Sequence, residues 1–161
     1  IDMGAPQFSP HTLPLIGWDQ AQDEYTLDIE GEAIRFGAVS MGNPHAVFWV
    51  DRDVWDYDLA RFGPLLEHHP MFPERANIGF MQVLDQTHIK LRVWERGAGE
   101  TLACGTGACA AAVVGQMQKT LQSQVRVDLP GGSLQIRWNG PGQPVKMTGP
   151  AEHVFDGQLV L

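Results

Sequence analysis

The sequence predicts an α+β fold in which a curved mixed or antiparallel β-sheet wraps around a central buried helix, with a second short helix beside it. Two observations favour this fold. Short apolar or alternating segments recur along the 161 residues, separated by turns rich in glycine, proline and aspartate. Between these segments, residues 107–114 are apolar on almost every side, unlike the single apolar stripe of a surface helix. Such a helix must be enclosed, and the strands on either side of it in the chain are available to enclose it.

The strands predicted before this helix are runs of apolar or alternating residues that end at turns. The first two flank a turn at Glu30-Gly31, which predicts a hairpin, and the last two pair across residues 85–87. The loop of residues 41–45 precedes the strand between these pairs. The five strands are predicted at residues 25–29, 33–40, 46–50, 78–84 and 88–94.

Two helices are predicted, one on each side of the second strand pair. The first covers residues 58–69 and begins either at Asp58 or at Pro64, because proline suits the first turn of a helix. The central helix covers residues 106–119. The strands predicted after it lie at residues 125–129, 133–138, 145–147, 154–155 and 159–161.

The length of the chain fits a single domain. Residues 1–14 are rich in proline and are predicted to be a connecting segment, residues 15–150 the domain itself, and residues 151–161 a terminal strand. Because the sequence opens at Ile1 rather than at a methionine, we expect the chain to be part of a longer protein.

Charge and composition argue against several classes of protein. The formal net charge of −8 disfavours non-specific nucleic-acid binding, which needs a basic face. The sequence has no run of about 18 apolar residues that would predict a membrane span. Cys104 and Cys109 would lie roughly 8–9 Å apart at Cα on one helix, too far for a disulfide, and their spacing fits no zinc site. We therefore expect reduced thiols in a cytoplasmic protein.

Cys104 stands out among these residues because it lies where a glycine-rich turn enters the central helix. Gly99, Gly105 and Gly107 leave the backbone there free to bend and to approach a ligand. A thiol at that position meets the positive end of the helix dipole and free backbone N–H groups, which tune its pKa and attract an anion. Cys109 lies inside the alanine-rich helix and is predicted to be a core residue.

Two charged residues end the strand before that turn. Glu95 and Arg96 are adjacent, and the glycine turn after them would let both reach a zwitterion, with Glu95 toward an ammonium and Arg96 toward a carboxylate. A carboxylate beside Cys104 would also raise the thiol pKa. These features predict proton chemistry on a substrate that carries a carboxylate.

Histidines supply the remaining candidates. His45 follows Gly42-Asn43-Pro44 and is the group of that loop that titrates near neutral pH. His68 and His69 have no cysteine or acidic residue at a metal-binding spacing, so helix-end capping is the preferred interpretation of that pair. No metal site is predicted.

Three ordered motifs occupy residues 41–45, residues 73–80 and residues 93–110. They give the sequence a specific resemblance to diaminopimelate epimerase, an amino-acid epimerase of bacterial lysine and cell-wall synthesis that uses no cofactor. The family fold consists of two similar halves, each a β-sheet curved about a central helix, with the active site in the cleft between them. The substrate that the resemblance implies is diaminopimelate, converted from the LL to the meso form by two cysteines.

The resemblance implies a role for each matching position. Cys104 matches one of the two catalytic cysteines, which exchange a proton with the substrate α-carbon. His45 and Glu95 match residues that modulate the thiol pKa values. The substrate-binding positions match Asn43, Asn77, Glu95, Arg96, Gly105 and Thr106.

The other catalytic cysteine of the family belongs to an N-terminal glycine- and asparagine-rich motif that this sequence does not contain. We therefore expect the chain to be the C-terminal half of the enzyme, inactive alone. In the family the last strand returns to the other half, so we expect residues 151–161 to lack their partner. They should then either promote a homodimer or further association, or be disordered. Two alternatives stay open: another racemase or isomerase of the superfamily, of the proline racemase or phenazine-biosynthesis type, and a non-catalytic carboxylate-binding module.

Overall fold

The computed structural model describes residues 1–159. Its regular elements are nine strands, two α-helices and one 3-10 turn at Val54–Asp56. The helices are α1, Leu59–Glu67, and α2, Gly105–Met117. The strands are β1 Tyr25–Ile29, β2 Glu32–Ser40, β3 Pro44–Trp49, β4 Asn77–Asp85, β5 His88–Glu95, β6 Gly99–Thr101, β7 Gln124–Leu129, β8 Gly132–Arg137 and β9 Lys146–Thr148.

All nine strands form one mixed sheet in the order β1-β2-β3-β4-β5-β7-β8-β9, and β6 also pairs with β5. The pairs β3–β4 and β5–β7 are parallel, and the other neighbours are antiparallel. Parallel neighbours need a crossover connection. The segment with α1 supplies it between β3 and β4, and the segment with α2 supplies it between β5 and β7.

The central helix α2 is enclosed by the sheet, as predicted. Its residues from Gly107 to Gly115 are all buried, and it packs against strands β2, β3, β4, β5, β7 and β8. The backbone of β2 comes so close that a Cβ atom at Gly37 would lie 2.2 Å from Cγ1 of Val114. The predicted α+β fold, a curved sheet about a buried helix, is therefore confirmed.

The two opposite faces of the sheet pack against two separate hydrophobic cores. Along β3, Val47 faces the core around α2, whereas Ala46 and Phe48 belong to a second core on the opposite face. That second core is covered by α1, whose Leu59 and Leu66 are buried in it. The site described below lies at one edge of this arrangement, where both helices meet the sheet.

Several predicted boundaries need correction. Helix α1 begins at Leu59 with Asp58 as its N-cap, so Pro64 lies inside the helix and is not its start. Strand β3 already begins at Pro44, inside the predicted loop. The short strand β6 was not predicted because Gly99–Thr101 is only three residues long and reads as part of the glycine turn.

The two ends of the chain differ in how they contact the sheet. Residues 1–14 lie on it: the N–H of Met3 donates to Val145 O at 2.9 Å, and Gln7 pairs with Ser40. Val154 and Phe155 were predicted to lie in a strand but form no strand, because no neighbouring strand lies beside them. Their side chains are 86% and 80% exposed. Val160 and Leu161, in the strand predicted at residues 159–161, lie outside the described residues. No helix within residues 1–159 is long and apolar enough to cross a membrane.

Candidate active site

Cys104 is the N-cap residue of α2, and its thiol lies at the start of the helix. Its Sγ accepts a hydrogen bond from the N–H of Gly107 at 3.3 Å and lies 3.6 Å from the hydroxyl oxygen of Thr106. The residue is only 5% exposed. The first N–H groups of a helix have no acceptor within it, so those of Gly105 and Thr106 remain available to an anion. We call residues 104–107 the helix mouth.

The environment of Cys104 keeps its proton on sulfur. Burial raises the thiol pKa, the Thr106 hydroxyl and the Gly107 N–H lower it, and the negative charge of Glu95 raises it again, with a net rise. Cys109, inside α2, has its pKa raised to about 12, chiefly by burial. The two thiols thus differ in kind, since Cys104 has polar neighbours and Cys109 is enclosed by the core.

Glu95 reaches Cys104 because of the hairpin that β5 and β6 form. The pairs Glu95–Gly99 and Val93–Thr101 fold the chain back on itself immediately after β5. Across this hairpin, the hydroxyl of Thr101 donates a 2.5 Å hydrogen bond to Oε1 of Glu95. The hydrogen bond holds the carboxylate on the side of the sheet that faces the mouth of α2.

His45 and Asn43 connect the β2–β3 turn to the helix mouth. Nε2 of His45 lies 3.0 Å from Oδ1 of Asn43, and Nδ2 of Asn43 donates to Oγ1 of Thr106 at 3.4 Å. His45 is 2% exposed, and burial, with the nearby charge of Arg96, lowers its pKa to about 3. The imidazole is therefore neutral at physiological pH. The turn before it is made possible by Gly42, whose φ of +91° is disfavoured for other residues.

Asn77 is the first residue of β4 and connects the start of β3 to the residue that follows β5. The parallel register places Asn77 opposite His45. Its Nδ2 donates to Pro44 O at 2.9 Å, and its Oδ1 accepts the N–H of Arg96 at the same distance. The Arg96 guanidinium donates to Glu74 O at 3.2 Å. These residues lie at neighbouring ends of the central strands β3, β4 and β5 and not on an outermost strand. We call the group the sheet edge; its members are Asn43, His45, Asn77, Glu95 and Arg96.

The structure therefore brings the sequence-predicted site residues together around Cys104. Thr106 contacts both Cys104 and Asn43, so the helix mouth and the sheet edge share one network. Cys109 stays apart in the core. Nδ1 of His68 donates to Pro64 O, 3.0 Å away, which confirms helix-end capping, whereas Nε2 of His69 donates to Asp28 O instead.

One residue of the site was missed in the sequence. Glu67, at the end of α1, has a side chain only 5% exposed, and its carboxylate accepts hydrogen bonds from Trp94 and Gly97 on either side of Glu95 and Arg96. A single glutamate at the polar end of an amphipathic helix gives no signal of burial, since most such residues are exposed.

One surface cleft of the described chain lies away from Cys104 and its neighbours. A cavity of about 500 Å³ is lined by residues that include Glu24, Arg35, Trp49 and Gln118, none of which is a predicted site residue. Among residues 1–159, no three His, Cys, Asp or Glu side chains come together as metal ligands.

Comparison with known proteins finds a family whose sequence model matches most of the chain. The family model described as "Diaminopimelate epimerase" matches residues 37–154. Proteins named diaminopimelate epimerase from Ectopseudomonas mendocina and Alkalilimnicola ehrlichii are 55% and 57% identical over all 161 residues of the chain. The chain spans 58% and 57% of the length of these two relatives.

Solved structures share the fold at much lower identity. A hydroxyproline epimerase from Agrobacterium vitis gives a TM-score of 0.53 at 14% identity, covering 76% of this chain and 43% of that one. A probable proline racemase from Agrobacterium radiobacter gives 0.52 at 11% identity, covering 77% and 44%. In both, the similarity extends over somewhat less than half of the longer chain.

Proposed function

The chain belongs to the diaminopimelate epimerase family, and from this premise we propose that it is the C-terminal half of an enzyme that converts LL-diaminopimelate into meso-diaminopimelate. Cys104 is one of two thiols that exchange a proton with the α-carbon, and the N-terminal half supplies the other. The reaction uses no cofactor. It belongs to the synthesis of lysine and of peptidoglycan precursors, in the cytoplasm.

The observation that carries this proposal is the position of Cys104 at the mouth of α2, with the network of the sheet edge around it. A proton-transfer group needs a controlled pKa and a binding place for the anion that forms as the α-proton leaves. Burial, Thr106, Gly107 and Glu95 supply the first requirement. The N–H groups of Gly105 and Thr106 at the helix start supply the second, by receiving the α-carboxylate.

The raised pKa of Cys104 assigns its role in one direction of the reaction. At neutral pH it carries its proton, so it donates to the α-carbon from one face while the thiolate of the other half removes the proton from the opposite face. One thiol is lost and one is gained, and the total protonation of the pair stays constant. In the reverse direction the two thiols exchange roles.

The substrate-binding roles follow from the charges and donors at the sheet edge. Arg96 and the amides of Asn43 and Asn77 bind carboxylates, and Glu95 binds the ammonium at the distal end. His45 acts on the thiol indirectly, through Asn43 and Thr106. Because it is neutral, His45 adds no positive charge that would lower the thiol pKa.

The experiment that tests the proposal is α-proton exchange of LL-diaminopimelate in D₂O, followed by NMR. We expect no exchange with the purified chain alone. Mixed with the N-terminal half, the chain should catalyse exchange, and Cys104→Ala should abolish it. Exchange by the chain alone well above the Cys104→Ala control would refute the half-site proposal.

The same mixture separates the alternatives. Preferential binding of proline over diaminopimelate would indicate a racemase of the other type. A non-catalytic carboxylate-binding module would bind diaminopimelate without exchange, and alkylation of Cys104 would be slow and unaffected by the ligand. Exchange that depends on both thiols excludes both alternatives.

A further inference from the structure

A buried carboxylate lies at the C-terminal end of α1, next to the sheet edge but outside the motifs that identify the family. The Glu67 residue is 3% exposed, and a charge is placed there only when it is well paired. By contrast, the ion pair of Glu24 with Arg35, which has the same 3.5 Å separation as that of Glu67 with Arg75, lies in the open, with Arg35 73% exposed.

Both carboxylate oxygens of Glu67 are occupied by the strand end that carries Glu95 and Arg96. Its Oε2 accepts from Nε1 of Trp94 at 2.9 Å, immediately before Glu95. Its Oε1 accepts from the N–H of Gly97 at 2.8 Å, immediately after Arg96. Trp94 and Gly97 therefore attach both ends of the Glu95-Arg96 pair to one side chain of α1.

A third contact extends this attachment to the loop before Asn77. The guanidinium of Arg75 lies 3.5 Å from Oε1 of Glu67. The neighbouring Glu74 carbonyl receives the guanidinium of Arg96, and Asn77 receives the N–H of Arg96. Glu67 thus connects two segments that converge on the same arginine.

The charged state of Glu67 is the one that fits these contacts. Burial raises the pKa of Glu67. The hydrogen bonds from Trp94 and Gly97, with the charges of His68 and Arg75, lower the pKa by more than burial raises it, so the carboxylate stays ionised. A carboxylate accepts at both oxygens, whereas a glutamine would present an NH₂ group to one of the two donors. The site therefore distinguishes glutamate from its neutral isostere.

We propose that Glu67 is a positioning residue that holds Glu95 and Arg96 in the geometry that binds the distal end of the substrate. The proposal rests on the proposed function for its substrate, although the structural part does not. Glu67 touches no substrate itself. It acts through Trp94 and the Gly97 backbone.

The test is Glu67→Gln in this chain, assayed together with the N-terminal half, with Glu24→Gln as the matched control. We expect KM for diaminopimelate to rise about tenfold, the size of the loss when one charge-assisted contact is weakened, while kcat changes less than KM. A merely structural role would reduce the folded fraction, and with it kcat, without raising KM. An unchanged KM, or a loss confined to kcat, would overturn the proposal.

A second measurement needs no turnover. In the chain alone, hydrogen exchange of the Gly97 amide or of the Trp94 indole N–H, whichever faces the glutamine NH₂, should become at least about tenfold faster in Glu67→Gln. Both should stay unchanged in Glu24→Gln. If wild-type halves do not turn over diaminopimelate, the proposed function fails, and this measurement still decides whether Glu67 holds the strand end. Unchanged protection of both N–H groups would refute that role.

A milder variant covers the case in which Glu67→Gln does not fold. Trp94→Phe removes one donor and leaves the carboxylate and the Gly97 hydrogen bond in place. We expect a KM increase of about threefold, smaller than that of Glu67→Gln because one of the contacts persists. A KM equal to the wild-type value would contradict the proposal.

Discussion

The helix mouth and the sheet edge hold the site by different physical means. At the mouth, the surroundings of Cys104 come mainly from its own neighbours in the chain, namely the N–H of Gly107 and the hydroxyl of Thr106. At the edge, the two asparagines bond residues far away in sequence: Asn43 donates to Thr106, 63 positions away, and Asn77 donates to the carbonyl of Pro44, 33 positions away. Changes within the core should therefore disturb the edge more readily than the mouth.

The largest effect is expected from removing the thiol at the mouth. Cys104→Ser should reduce α-proton exchange, measured with the N-terminal half present, by at least about 10³-fold, because general acid–base catalysis contributes 10²–10⁴-fold. Cys109→Ala, five residues along the same helix, should stay within about twofold of wild type. Equal losses in the two variants would show that the mouth has no special role.

A substitution in α1 should disturb the sheet edge, although it lies outside the site. A Cβ atom at Gly63 would lie 2.5 Å from the ring of Trp94. Gly63→Ala must displace that ring, and overpacking of this kind costs up to about 3 kcal/mol of unfolding free energy. Urea unfolding measures the cost.

The same variant distinguishes the two regions. Because Trp94 also donates to Glu67, KM should rise in Gly63→Ala, whereas the alkylation rate of Cys104 should stay near that of wild type. A changed alkylation rate of Cys104 with an unchanged KM would mean that the core is coupled to the helix mouth and not to the sheet edge.

The buried His45 sharpens the comparison through pH. Its pKa is lowered from 6.5 to about 3 in the folded chain, so between these values the unfolded state binds more protons and stability falls as pH falls. Between pH 7 and pH 5 this group alone should remove about 2 kcal/mol of unfolding free energy. Urea unfolding at both pH values measures the change.

His45→Gln is the control for that measurement, because it removes the titration and keeps a polar side chain. Its unfolding free energy should be less sensitive to pH than that of wild type over the same interval. Equal pH dependence in the two chains would mean that His45 titrates normally and that the edge is open to water.

The smallest effect on stability is expected outside both regions, in the segment after β9. Val154 and Phe155 are almost fully exposed, so replacing both with serine should change the unfolding free energy by less than about 0.5 kcal/mol. If this segment promotes association, the same variant should lower the solution mass, as measured by analytical ultracentrifugation. An equal mass for both chains would remove the proposed role of the segment in a homodimer.

Local patterns were enough to predict most of the sheet and the central helix. Glu30-Gly31 between two alternating runs predicts β1 and β2, and the apolar run of residues 107–114 predicts an enclosed α2. Val154 and Phe155 form no strand in the described chain, since an apolar pair forms a strand only beside another strand. The terminal strand that pairs with the other half stays a prediction. Pro64 was ambiguous because both a helix start and a helix interior accommodate the same local pattern.

The site divides in the same way. The glycines around Cys104 indicate the mouth from sequence alone, since they are contiguous with it. Asn43 and Asn77 read as ordinary turn and strand residues until the register of β3 and β4 places Asn77 opposite His45, which contacts Asn43. Only the resemblance to a family pointed to them. Glu67 had neither signal, because its burial depends on tertiary contacts with Trp94 and Gly97.

The contact between the first residues and β9 has a consequence in time. The N–H of Met147 donates to Ile1 O at 2.9 Å, and the two residues lie 146 positions apart. At synthesis rates of about 5–20 residues per second, Ile1 must wait on the order of 10 s before residue 147 exists. During that interval the β9 edge cannot be completed, so the earlier strands and α2 have to form without it. The contact between residue 1 and β9 should therefore be the last part of the sheet to form as the protein is made.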